Sequence, residues 1–196
     1  MQALSILDPG ICCLRTKNWQ HKSFRQSRFR RSSGKSKSKS TRSGHRSLRL
    51  TSSGYVDGGF YDGGRFHRTV HPDNQPNDSI RIEVIQASIN SQRSGEGFSS
   101  IPLERTNVTG IRHQDGTISM ARGRPDSATS SFFICLGEQS SLDYGGFRNS
   151  DGQGFAAFGR VVRGMDVVRQ IQQRPAEGQT LTPPVGILRA TRVEGF

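Results

Sequence analysis

Residues 58–68, Gly-Gly-Phe-Tyr-Asp-Gly-Gly-Arg-Phe-His-Arg, are the stretch whose types and spacing are best suited to chemistry. Four glycines and an aspartate within it describe a tight loop, because glycine reaches backbone angles that other residues avoid. The loop runs into Arg65-Phe66-His67-Arg68-Thr69-Val70, whose aromatic and β-branched content predicts the start of a strand. A strand that opens at a glycine loop delivers its first side chains to the rim of a sheet, where rigid scaffolds present functional groups. Arg68 is the lead candidate there: it stays charged and offers a rigid fork of donors. The plain alternative is that Arg68 is a packed, solvent-tipped side chain or half of an ion pair. Other segments have to decide between the two.

The elements that would hold such a strand follow in order. Residues 71–78, His-Pro-Asp-Asn-Gln-Pro-Asn-Asp, are turn formers and predict a polar insert. Ser79 to Gln86 alternates Ile80, Ile82 and Val84 with Arg81 and Glu83, the period-two pattern of a strand. Residues 88–110 read as loop. Strands are expected at Thr117–Ala121, at the apolar run Ser131–Leu136, at Phe155–Val162 and at Val185–Val193. Met165, Val168 and Ile171 recur at helical spacing, between Gly164 and Arg174-Pro175, and predict the single clear helix. Short strands with long glycine-rich loops predict a mainly β fold, a closed barrel or sandwich with helical caps.

Composition divides the 196 residues in two. The segment 1–54 contains 13 of the 28 Lys and Arg residues but only Asp8 of the 16 acidic ones. The net charge of +12 therefore lies in this first quarter, and residues 55–196 balance. Few apolar residues and strong like charge predict a disordered tail over 1–54, with a short strand conceivable only at His45–Leu50. Arg25, Arg28, Arg30 and Arg31, interleaved with Phe24 and Phe29, suggest weak contact with nucleic acid or another acidic surface through residues 15–49. An Arg- and Ser-rich organelle transit peptide and a solvated tail with no partner are the other readings. Cys12, Cys13 and Cys135 make no disulfide framework and point to a reducing compartment, with the cytoplasm favoured. No apolar run reaches the length of a membrane span.

Taken together, four ordered segments resemble the cyclophilin family of peptidyl-prolyl cis-trans isomerases: Gly59 to Arg68; Gly116-Thr-Ile-Ser-Met-Ala121 with Pro125 and Ser130-Ser-Phe-Phe-Ile134; Leu142-Asp143; and Phe158-Gly-Arg-Val-Val-Arg-Gly-Met-Asp-Val-Val168. The resemblance covers 55–196, and the loop Asp143–Phe155 looks like a longer bacterial variant. It implies a cyclophilin-like closed β-barrel with helical caps, acting as a monomer on proline-containing peptides and on unfolded or nascent proteins, with no metal, cofactor or membrane involved. It implies Arg68 as the catalyst. Phe66, Val84, Gln86, Ala121, Arg122, Ser131, Phe133, Leu142 and Phe155 would then contact substrate: Phe133 and Leu142 as walls of a proline socket, Gln86 hydrogen-bonding the substrate backbone, and Ala121 with Arg122 as the edge receiving the peptide. Phe132, next to Phe133 on a strand, would face the opposite side and be core. Glu83, Arg122, Ser131, Ser141 and Phe155 depart from the family's usual residues at their positions. The family's opening strand pair and helix have no counterpart pattern in 1–54, so an incomplete barrel and a truncated or frame-altered beginning are expected.

Overall fold

The computed structural model describes residues 2–6, 12–16 and 54–193. Of the tail expected over 1–54, only residues 2–6, 12–16 and 54 are described; the stretch expected to meet nucleic acid, 15–49, lies outside the described residues except for 15 and 16, as does the strand considered at 45–50.

Among the described residues, ten strands form one antiparallel sheet: β1 Gln2–Ile6, β2 Cys12–Thr16, β3 Arg65–Val70, β4 Val84–Ser88, β5 Thr117–Met120, β6 Phe132–Cys135, β7 Ala156–Arg163, β8 Ala176–Glu177, β9 Thr180–Gly186 and β10 Ala190–Val193. Their order is β10-β1-β2-β7-β5-β6-β4-β3-β9-β8. Among the described residues the α-helical segments are α1 at 54–57, α2 Thr106–Thr109 and α3 Met165–Gln172.

The first two strands correct the sequence reading. Residues 1–54 show no strand alternation, yet β1 pairs with β10 and β2 pairs with β7. Backbone hydrogen bonding needs no apolar period, so the pattern of side chains gave no sign of it. The segment 54–57 is helical where the family's helix was expected to end.

Two further expectations shift. The strand predicted from Ser79 begins only at Val84. The buried Gln75 carboxamide acts as the pairing partner instead: its Nε2 donates to Ile82 O at 2.8 Å, and Ile82 N donates to its Oε1 at 3.1 Å. One amide thus satisfies the backbone of Ile82 without a neighbouring strand. The closing strand predicted over 185–193 is divided into β9 and β10 by residues 187–189. Strands β3, β5, β6 and β7 and helix α3 lie where the alternation, the apolar runs and the helical spacing place them.

The sheet carries an apolar cluster on each side, which explains why β5 and β6 are buried throughout. On the inner side, Phe66, Ile85, Ala87, Phe132 and Ile134 pack with Tyr55, Tyr61 and the Val168 and Ile171 face of α3. On the other, Val70, Ile82, Val84, Phe133, Cys135, Leu142 and Phe155 form a smaller cluster. Successive strand residues point to opposite faces, so Phe132 goes inward and Phe133 outward, as the sequence suggests. The glycine loop before β3 is fastened to the far end of the chain: Gly63 N donates to Ile187 O at 2.8 Å, and Ala190 N donates to the Asp62 carboxylate at 2.8 Å. Gly64 admits no side chain, since a Cβ there would lie 2.6 Å from Ser88 O and 2.9 Å from Tyr61 O.

Candidate active site

Three neighbouring strands set the centre of the site. Arg68 of β3 stands opposite Gln86 of β4, which stands opposite Phe133 of β6. A bulge between Phe66 and Arg68 breaks the alternation. It lets Phe66 point into the inner core, 6.1 Å from the Phe132 ring, while Arg68 emerges on the outer side.

Two amides hold the Arg68 guanidinium. Its Nη1 donates to Gln86 Oε1 at 3.0 Å; its Nε and Nη2 donate to Gln179 Oε1 at 3.0 and 2.5 Å. Gln179 lies in the turn between β8 and β9 and is itself braced by the polar insert. Its Nε2 donates to Asn74 O, and Asn74 Nδ2 donates to Thr69 O and Gly178 O. Burial, reinforced by the Arg148 charge and opposed by Asp78, pulls the Arg68 pKa down. The charge of Arg148 is engaged by Asp78 at 2.9 Å.

The apolar side of the site is the outer cluster. Phe133 and Phe155 meet edge to face at 5.3 Å, and Leu142 and Val84 are buried beside them. Behind Phe133 the His113 ring stacks at 6.0 Å and is clamped at both ends: Nδ1 lies 2.7 Å from Asp143 Oδ1, and Nε2 lies 2.9 Å from Ser119 Oγ. Burial alone would raise the Asp143 pKa, but the hydrogen bonds from the His113 side chain and backbone prevail and lower it. Although Asp143, His113 and Ser119 are connected in series, Ser119 is fully buried. This hydrogen-bonded series therefore supports the Phe133 wall, and its serine is not exposed to act as a nucleophile.

Arg122 is fixed as well. Its guanidinium donates to Gly154 O and, through two nitrogens, to Asp151 at 2.8 and 2.9 Å, and it lies 5.1 Å from the centre of the Phe155 ring. These bonds hold the Asp151 carboxyl down at about 2. With its side chain only 1% exposed, Arg122 forms a wall of the site and is no free cation.

An open cleft of about 400 Å³ brings together Arg68, Val84, Gln86, Ala121, Arg122, Ser131, Phe133, Leu142 and Phe155. Phe66 alone among the residues singled out in the sequence is absent, on the inner face. Ile82, Arg148 and Gln179 escaped the sequence reading. Ile82 carried a usable signal, two residues from Val84 in the same alternation, and it fills the wall while Glu83 turns away to accept from Gln172 Nε2 of α3. Gln179 carried none, because its role depends on a turn 111 residues from Arg68.

Residues 49–192 match the family model described as cyclophilin type peptidyl-prolyl cis-trans isomerase/CLD. The chain belongs to the cyclophilin family. The match starts a few residues before the boundary expected at residue 55. This cyclophilin is 36% identical over 124 residues to peptidyl-prolyl cis-trans isomerase A of Dickeya dadantii, covering 63% of the chain and 58% of that relative. It is 34% identical over 122 residues to a peptidyl-prolyl cis-trans isomerase of Acinetobacter baylyi, covering 62% and 57%. The alignment thus spans less than two thirds of these relatives' lengths. The crystal structure of a Cryptosporidium parvum cyclophilin type peptidyl-prolyl cis-trans isomerase in the presence of the dipeptide Ala-Pro superposes with a TM-score of 0.63 at 12% identity, covering 100% of both chains. That likeness concerns the fold, and the mainly β cyclophilin fold expected from the sequence is the one observed. Among the described residues, no helix is long and apolar enough to cross a membrane.

Proposed function

We propose that this cyclophilin accelerates rotation about X-Pro bonds in peptides and unfolded proteins, with Arg68 as its catalytic residue. The observation that carries the proposal is the Arg68 guanidinium, held by two neutral amides beside the buried Phe133, Leu142 and Phe155 side chains.

The physical argument begins with the bond. A prolyl amide resists rotation by about 18–20 kcal/mol, because its nitrogen lone pair is shared with the carbonyl. Uncatalysed exchange takes tens to hundreds of seconds. In the twisted transition state the lone pair returns to the nitrogen, which becomes a hydrogen-bond acceptor. A guanidinium aimed at that atom stabilises the twisted state more than the planar one, which is sufficient for catalysis. The acceptors that fix Arg68, Gln86 and Gln179, are uncharged, so among the described residues no carboxylate ion-paired to Arg68 offsets its charge. Phe133, Leu142, Phe155 and Val84 seat the proline ring. Gln86, whose oxygen is engaged by Arg68, offers its N–H groups to a substrate carbonyl, and the edge at Ala121 and Arg122 receives the extended peptide. Ser131 lies at the rim.

Catalysis of a proline-limited refolding reaction and of cis-trans exchange in a short peptide tests this. Arg68→Ala is expected to lower kcat/KM by about 100-fold, the scale of losing one donor to a developing charge, while proline peptides still bind. An unchanged rate removes Arg68 as the catalyst. Binding by the natural protein without acceleration would make the cleft a recognition module.

A further inference from the structure

A second cleft, of about 570 Å³, adjoins the first, and Ser131 lines both. It is reached along the strands that carry Arg68. On β3, β4 and β6 the row Arg68–Gln86–Phe133 is followed, two residues along β4, by a row containing Arg65 opposite Ser88. The Ser88 hydroxyl in turn meets the Ser131 hydroxyl at 2.8 Å. Arg65 and Arg68 are three residues apart and would face opposite sides of a regular strand. The bulge at His67 absorbs the odd residue and sets them on the same side. Two strand residues advance about 7 Å, which is also the advance of two residues in an extended peptide.

We propose that this second cleft is a specificity subsite for an anionic side chain, a carboxylate or a phosphorylated hydroxyl, two residues from the substrate proline. Its chemistry fits that occupant. Arg65 stands exposed at one wall, and Ser88, Ser130, Ser131 and Thr180 contribute hydroxyls. Two hydroxyls bonded to each other still leave one hydrogen to donate, so the Ser88–Ser131 pair can serve an anion without breaking. Among the described residues, no Asp or Glu lines either cleft. His67 adds a ring N–H or a charge. Burial first, and then the neighbouring Arg65 and Arg68 charges, outweigh a backbone hydrogen bond and pull its pKa below the ordinary range, so the standing charge is Arg65's.

The inference rests on the prolyl reading of the first cleft, and its test separates the two. Pentapeptides with central proline carry Asp, phosphoserine, Asn or Lys at the second residue before or after it, and kcat/KM and Kd are measured with the full chain and its Arg65→Gln variant. At one of the two positions Asp or phosphoserine is expected to exceed Asn by about two- to fivefold, the range of a solvent-exposed ion pair, and Lys to fall below Asn. The ratio should approach one in 1 M NaCl and in R65Q. Whichever anion gives the larger ratio identifies the source. A ratio near one at both positions, or one that persists in R65Q, overturns the subsite. If no peptide is turned over, the isomerase reading fails, whereas the same ratios in Kd still decide the subsite.

Discussion

Gln179 Oε1 accepts two N–H groups of Arg68, from Nε at 3.0 Å and Nη2 at 2.5 Å, across 111 residues of chain. An arginine with a single amide partner could swing about its side-chain torsions. One held along its fork is fixed in the plane of the guanidinium, and that plane determines where the remaining N–H groups point.

Gln179→Ala is therefore expected to reduce kcat/KM for a prolyl peptide by about tenfold or more, from loss of hydrogen bonds to a charged group worth about 1.5–3 kcal/mol. The fall should lie in kcat rather than KM, since the apolar residues beside the proline are untouched. Unfolding stability measured in parallel should fall as well, so the split between kcat and KM is the deciding readout. A loss confined to KM would place Gln179 in substrate binding and remove it from the positioning of Arg68.

Gln75 has no access to substrate but closes the backbone of Ile82 and of His71, with its Nε2 donating to both carbonyls at 2.8 Å. Gln75→Ala is expected to cost about 2–4 kcal/mol in urea unfolding, because buried backbone groups lose their partners. Gln75→Glu keeps the shape and the acceptor for Ile82 N but removes the donors to both carbonyls, so it should also destabilise. Stability equal to the natural protein in Q75E would show that packing, not hydrogen bonding, fixes this segment.

Acid should unfold the protein in a defined window. Asp151 is held at about 2, chiefly by the Arg122 side chain, and Asp143 is lowered because bonds from His113 outweigh its burial. An unfolded aspartate titrates at about 3.9. Both folded-state values are depressed, so their stabilisation is complete above the unfolded pKa and is lost as pH falls through the folded values. Denaturant midpoints should decline between about pH 4 and pH 2. Asp151→Asn should make that decline shallower without abolishing it, because Asp143 still titrates. A midpoint independent of pH in this window would contradict the assignment.

Gly154 and Gly152 form a matched pair for backbone conformation. Both have positive φ, 66° and 60°, but a Cβ at Gly154 would lie 2.5 Å from the Asp143 carbonyl carbon, whereas Gly152 has open space. Gly152→Ala should cost about 1–2 kcal/mol from the left-handed conformation alone. Gly154→Ala adds a clash with backbone that cannot yield, should cost more than Gly152→Ala, and should impair peptide turnover by displacing the Gly154 carbonyl that holds Arg122 beside Phe155. Equal losses for the two variants would show that the clash is relieved elsewhere.

The sequence by itself determined the features that repeat locally. The continuous apolar run at Phe132–Cys135, the helical spacing of Val168 and Ile171, and the aromatic and β-branched content of Arg65–Val70 are each local signals of an element with side chains to bury, so they were legible before any fold was known. Ordered motifs likewise located Arg68, Phe133 and Leu142. What only the tertiary structure decided rests on contacts that have no period. The bulge that turns Phe66 inward and Arg68 outward is a matter of backbone register. Gln75 replaces a strand partner through one side chain, and Gln179 reaches Arg68 from a turn brought near by the closure of β9 on β3. Strands β1 and β2 take their places through backbone hydrogen bonds that any side chain permits, so no alternation in the first 16 residues announced them.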